Sequence, residues 1–168
     1  ALPISHHLAA FPADSGDAYK GFEFVNEIVG KDTLTNAIAL NSASFNLARL
    51  VLPGMMRLGR GSIVNISTAW AFEPSPLFPT SAVFRAGLAA YTKLTAQSLA
   101  ADGVRINNVL PGWIDSLPQT DERRDSVPMK RYGQAEEIAA TIAFLVSDGA
   151  AYITGQNIKV DGGLMKGI

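Results

Sequence analysis

The side chains able to do chemistry are few, and most familiar constellations fail on spacing. His6 and His7 are the only imidazoles, adjacent on an irregular segment with no cluster of Asp or Glu around them. A zinc site needs three or four ligands spaced to close a tetrahedron, so no metal is expected. The chain has no cysteine, which excludes disulfides, thiolate ligands and a thiol nucleophile and suits a reducing compartment. No Gly-x-Ser-x-Gly elbow occurs, so a serine-hydrolase triad lacks its nucleophile turn. Gly59-Arg60-Gly61 is the nearest approach to a phosphate-cradling glycine motif. Val64 stands where the third glycine belongs, and a strand follows instead of a helix, so the context is wrong. The run Asp121-Glu122-Arg123-Arg124-Asp125 mixes both signs of charge, and its composition fits a solvated face or a loop that covers a substrate equally well.

Fourteen Lys and Arg against fifteen Asp and Glu leave a net charge of -1 and no basic stripe, so no nucleic-acid partner is expected. With 48% hydrophobic and 17% charged residues, the 168-residue chain suits one globular domain around one core. No apolar run approaches the roughly 18 residues of a membrane span, so no membrane partner is expected. Residues 1–10 lack the basic start of a secretory signal. The expected location is the cytoplasm.

The elements that must carry any site follow from periodicity. Residues 1–32 are punctuated by Pro and Gly and offer only a short helix near 19–29. Leu34, Ile38, Phe45, Leu47 and Leu50 recur at helical spacing behind Asp32 or Thr33, which predicts a long helix over 33–58. The β-branched run at 62–67 reads as a buried parallel strand. A proline-rich loop leads to a second long helix over 81–101, ended by Asp102-Gly103. A strand over 104–109, a flexible stretch from 111 to 128, a helix near 134–147 and a last short strand over 156–160 complete the order. Helix, strand, helix, strand, helix, strand argues for an α/β fold with a parallel sheet.

Several segments, in order, resemble the short-chain dehydrogenase/reductase family. They are Phe45-Asn46-Leu47-Ala48-Arg49 with Leu52-Pro53-Gly54-Met55, then Gly61-Ser62-Ile63-Val64-Asn65-Ile66-Ser67, then Arg85-Ala86-Gly87-Leu88. Gly103-Val104-Arg105-Ile106-Asn107-Asn108-Val109-Leu110-Pro111-Gly112 follows, with Tyr152-Ile153-Thr154-Gly155-Gln156 and Val160-Asp161-Gly162-Gly163 at the end. The likeness covers 33–163, and residues 1–32 match little. It implies a Rossmann-like doubly wound parallel sheet. Within these residues the family's N-terminal βαβ nucleotide-binding half, with its glycine-rich turn, is lacking.

In that family a tyrosine exchanges the proton at the substrate oxygen, a lysine four residues later lowers its pKa, and a serine thirteen residues earlier orients the carbonyl. Counted from Arg85-Ala86-Gly87-Leu88, the tyrosine slot falls on Ser81, the serine slot on Thr68, and Arg85 takes the place of the lysine. The family's asparagine slot, counted back from Pro53, falls on Leu40 instead of Asn41, and one helical step turns a side chain by about 100°. Thr68 keeps a serine's hydrogen-bonding capacity. Ser81 cannot replace a phenol, because an aliphatic hydroxyl is far less acidic and much shorter. Arg85 keeps a charge but cannot release a proton to a relay. Without the resemblance, the three read as a strand-end hydroxyl, a helix N-cap and a helix-surface cation. Pro111, Gly112, Trp113, Ile114 and Ser116 resemble the loop that meets the nicotinamide of NAD or NADP. A proline-glycine turn after a strand explains the same residues equally well.

The resemblance therefore implies an oxidoreductase fold whose proton path is broken, a pseudoenzyme acting as a structural or regulatory subunit, with its cofactor in question. Two other readings stay open. One is an active nicotinamide-dependent oxidoreductase with further sequence upstream. The other is a cofactor-free lyase resembling the halohydrin dehalogenases, in which an arginine tunes a tyrosine. Tyr91 lies ten residues past Ser81, on a different helix face. The expected partners are further copies of the chain or another subunit of the same family, packed through the two long helices, with room for a small-molecule ligand.

Overall fold

The computed structural model describes residue 48 and residues 50–167. His6, His7, the helix expected near 19–29, the Leu40/Asn41 slot and most of the helix expected over 33–58 lie outside the described residues. The end of that helix, α1, is present at residues 48 and 50–58 and stops where expected. Gly59 follows at a positive φ of 63°. Strand β1 (Gly61–Ile66) comes next, then a single 3-10 turn (Ala69–Ala71), helix α2 (Pro79–Leu99), a second 3-10 turn (Ala100–Asp102) and strand β2 (Val104–Pro111). Helix α3 (Asp121–Ser126), helix α4 (Ala135–Val146), a third 3-10 turn (Asp148–Ala150) and strand β3 (Asn157–Val160) complete the order.

The three strands form one parallel sheet in the order β1-β2-β3. Side chains alternate across it, as a period of two requires. Ile63 and Val104 pack with Ala48, Leu52 and Leu99 from the α1 and α2 side, whereas Val64 and Val109 pack with Ile138, Ile142 and Leu145 of α4. Helices thus cover both faces, which is the Rossmann-like α/β layering expected of the sequence. Strand β2 is buried on both faces and reads accordingly as a nearly continuous apolar run, interrupted only by Arg105, Asn107 and Asn108. Each of these polar side chains has a task. Arg105 Nη1 donates to the Leu145 carbonyl at 2.7 Å, and Asn107 Nδ2 donates to the Ile153 carbonyl at 2.9 Å. Asn108 is the middle rung of a ladder through the register-paired residues Asn65, Asn108 and Asn157.

Two expectations are corrected. Helix α2 begins at Pro79, two residues before Ser81, because proline suits the first helical turn, where its missing N–H has no intrahelical partner. Ser81 is therefore inside the first turn and is not the N-cap. The stretch from 111 to 128 is also not free chain. Thr120 caps α3 by accepting from the Arg123 amide, and the Tyr132 hydroxyl accepts from the Thr120 amide at 2.8 Å while donating to its carbonyl at 3.1 Å. An isolated bridge between Ile114 and Gly133 ties the two ends of this segment together.

Helix α4 carries an ionic clamp at its start. Arg131 donates to both carboxylate oxygens of Glu137, at 2.7 and 2.6 Å, and the Gln134 amide adds a third bond at 2.8 Å. The Arg131 bond, then that amide, hold the Glu137 carboxyl down at about 2 against an ordinary 4.5. A depressed carboxylate contributes its stability fully above the unfolded value and loses it as pH falls through the folded one. Thermal melts of the wild type should therefore fall between about pH 4.5 and 2, and Glu137→Gln should flatten that part of the profile. Superimposable profiles would show that the clamp contributes nothing.

Candidate functional site

In parallel sheets, clefts open beyond the carboxyl ends of the strands. Such a cleft, about 550 Å3, lies beyond the ends of β1 and β2. Strand β1 contributes Ile66 and, just past its end, Ser67 and Thr68. The loop after it brings Trp70 and Phe78, and α2 brings Ser81. Strand β2 delivers Pro111 with Gly112, Trp113, Ile114 and Ser116. The face of α4 bearing Ala135, Ile138 and Ile142 forms a further wall. Seven of the eight residues singled out in the sequence, Thr68, Ser81, Pro111, Gly112, Trp113, Ile114 and Ser116, thus meet around one space. Arg85 does not line it.

The positions of the three substituted slots are specific. Thr68 Oγ1 accepts from the Trp70 amide at 3.4 Å and caps the 3-10 turn, so its hydroxyl is a strand-end cap as well as a cleft residue. Ser81 is exposed at the cleft wall. Arg85, one turn further on, directs Nη1 to the Ile66 carbonyl at 2.9 Å. Burial lowers its pKa from the ordinary guanidinium value. The expected surface cation is instead a half-buried brace from α2 to the end of β1. No described tyrosine lines the cleft. Tyr132 is engaged with Thr120, Tyr152 is fully exposed, and the Tyr91 hydroxyl is buried away from the cleft wall.

The cofactor-type loop is held tightly. A Cβ at Gly112 would fall 2.9 Å from the Asp161 Cα, so only glycine lets β2 run this close to the end of β3. Backbone bonds tie the residues on either side of Ile114, Gly133 N donating to the Trp113 carbonyl and Asp115 N to the Gly133 carbonyl, each at 2.9 Å.

The sequence reading missed the aromatic wall. Trp70 and Trp113 are the two tryptophans of the chain, and their ring centroids lie 4.5 Å apart. Phe78 meets both, at 5.6 and 6.2 Å. Arg123 of α3 stacks 4.5 Å from the centroid of Trp113, so one cation of the supposed solvated run has a specific seat. The rule that such clefts sit at strand ends, applied to a tryptophan just past β1, was the signal that could have found Trp70.

Among the described residues no group of three or more His, Cys, Asp or Glu is placed to hold a metal, and no helix is long and apolar enough to cross a membrane.

Comparison with known proteins places this geometry. The family described as enoyl-(acyl carrier protein) reductase matches residues 20–165, beginning upstream of the boundary at 33 read from motifs. The 3-oxoacyl-acyl-carrier-protein reductase FabG of Thermotoga maritima is 37% identical over 129 residues, covering 72% of this chain and 52% of that protein. The acetoacetyl-CoA reductase of Allochromatium vinosum is 38% identical over 134 residues, covering 76% and 54%. The crystal structure of acetoin dehydrogenase YohF from Salmonella typhimurium superimposes with a TM-score of 0.67 at 34% identity, over 74% of this chain and 51% of that one. The chain spans about half the length of the relatives it matches.

Proposed function

The chain belongs to the short-chain dehydrogenase/reductase family, and from that premise we propose that it keeps the family's cleft as a binding site but not its proton relay, and acts as a structural or regulatory subunit. One observation carries this reading. The cleft presents Ser81 where a phenol is required, and the nearby guanidinium of Arg85 is bound to a strand carbonyl. General acid–base catalysis needs a group of matched pKa within hydrogen-bond reach, and an aliphatic hydroxyl such as that of Ser81 is far less acidic than the phenol it replaces. The loop of Pro111, Gly112, Trp113, Ile114 and Ser116 fits the nicotinamide end of NAD or NADP, since it lines the cleft with neutral groups and one hydroxyl. When bound, that cofactor would supply or accept the hydride. The 168-residue sequence contains no Gly-x-Gly-x-x-Gly motif of the kind that receives a pyrophosphate.

The proposed setting is the cytoplasm, in an assembly with further copies or with an intact family subunit. Exposed Leu50 and Leu58 on α1 and Val83 and Leu94 on α2 support an assembly through these helices. The test measures nicotinamide absorbance with keto and hydroxy substrates, for the chain alone and mixed with a catalytically intact reductase, while light scattering reports the mass. The lone chain is expected to show no turnover. Turnover above background by the wild-type chain alone, lost in Ser81→Ala, would overturn the reading.

A further inference from the structure

The chemistry of the cleft wall narrows what it can hold. Among the described residues no Asp, Glu, Lys or Arg lines it, and the hydroxyl side chains of its wall are four, Ser67, Thr68, Ser81 and Ser116. A charged ligand group seated against this wall would give up part of its water without gaining a counter-ion, which costs free energy. Against the hydroxyls stand three aromatic rings in mutual contact, Trp70, Phe78 and Trp113, which present flat polarisable surface to whatever enters. Arg123 sits on Trp113 but is not one of the lining residues, so its charge does not serve the cleft directly.

We propose that the cleft binds an uncharged planar aromatic molecule carrying a hydroxyl or carbonyl oxygen, its ring against Trp70 and Trp113 and its oxygen toward the hydroxyls of Thr68 and Ser81. This rests on the reading of the cleft as a retained binding site. Stacking selects for flatness because offset and edge-on ring pairs gain energy beyond the area they bury. One feature points the other way. The first turn of α2 opens on the cleft with no side chain capping it, and free helix amides favour anions. At α4 a capping box occupies the helix start, the Gln134 amide donating to the Glu137 carboxylate and the Glu137 amide to the Gln134 side chain. The lining without charge outweighs one uncapped turn, and a charged analogue decides the matter.

The two tryptophans make the experiment local, since the indole N–H signals of a 15N-labelled chain report on this cleft alone. The chain is titrated with 2-naphthol, with 2-naphthoate, which has the same rings and a charge, and with decahydro-2-naphthol, which is neutral but not flat. Both indole signals should move and saturate with 2-naphthol, and the other two probes should bind at least about tenfold more weakly. Phe78→Leu should weaken 2-naphthol binding about tenfold while leaving both indole signals dispersed, which guards against a variant that merely unfolds. Unmoved indole signals at millimolar 2-naphthol would overturn the proposal, as would equal binding of naphthoate or of the saturated analogue. Failure here leaves the absence of turnover untouched, and turnover in the absorbance assay leaves the ligand class untouched.

Discussion

Replacing Gly103 by alanine is expected to destabilise the protein by roughly 3–5 kcal/mol, enough to consume much of the margin of a domain of this size. Gly103 lies at φ 71°, where it ends the turn after α2, its amide bonded to the Ala100 carbonyl. Its own carbonyl accepts from the Gly61 amide, joining the first rungs of β1 and β2. A Cβ there would fall 2.1 Å from the Gly59 carbonyl oxygen and 2.8 Å from its carbon, which are backbone atoms that cannot swing aside. Gly59 is the natural control. It has a similar φ of 63°, yet a Cβ on it meets nothing within 4 Å, so Gly59→Ala should cost only the left-handed penalty of about 1 kcal/mol. Urea unfolding followed by circular dichroism measures both, and equal costs would show that the close approach of the two loops is not what requires glycine at 103.

Asn108→Ala is expected to cost about 3 kcal/mol, for a different reason. The fully buried Asn108 accepts from Asn65 at 3.0 Å and from the Thr92 hydroxyl at 2.9 Å, and donates to Asn157 at 2.7 Å. One side chain thus couples all three strands to α2. Truncation leaves the Thr92 hydroxyl, itself fully buried, without its acceptor, and a polar group stranded out of water costs more than its hydrogen bond contributed. Thr92→Val removes that stranded group. The double variant should therefore be destabilised by at least about 1 kcal/mol less than the two single effects summed. Strict additivity in urea titrations would mean that the ladder is not a coupled network.

The family, the layered architecture and most of the cleft's inventory were legible in the chain, and the reasons differ by element. All three strands stand within a residue or two of their expected places, because β-branched runs bounded by glycine have few other uses. The start of α2 was misplaced because a proline that opens a helix and a proline that ends a loop look alike in sequence. The order in the 111–128 segment was missed because its anchor, Tyr132 on the Thr120 backbone, joins residues twelve apart across an irregular stretch.

What the sequence determined alone is the set of occupants of the reactive slots. Serine at 81 and arginine at 85 are facts of spacing along one helix, and spacing is local. Only the tertiary structure decided what those residues do and what surrounds them. Arg85 braces a carbonyl nineteen positions away, the ladder pairs asparagines 43 and 49 positions apart, and two distant tryptophans form one wall. Periodicity records which way a side chain points from its own backbone. Which partner it meets depends on the order and register of strands, and parallel crossovers set those through contacts too far apart in the chain to leave a local pattern.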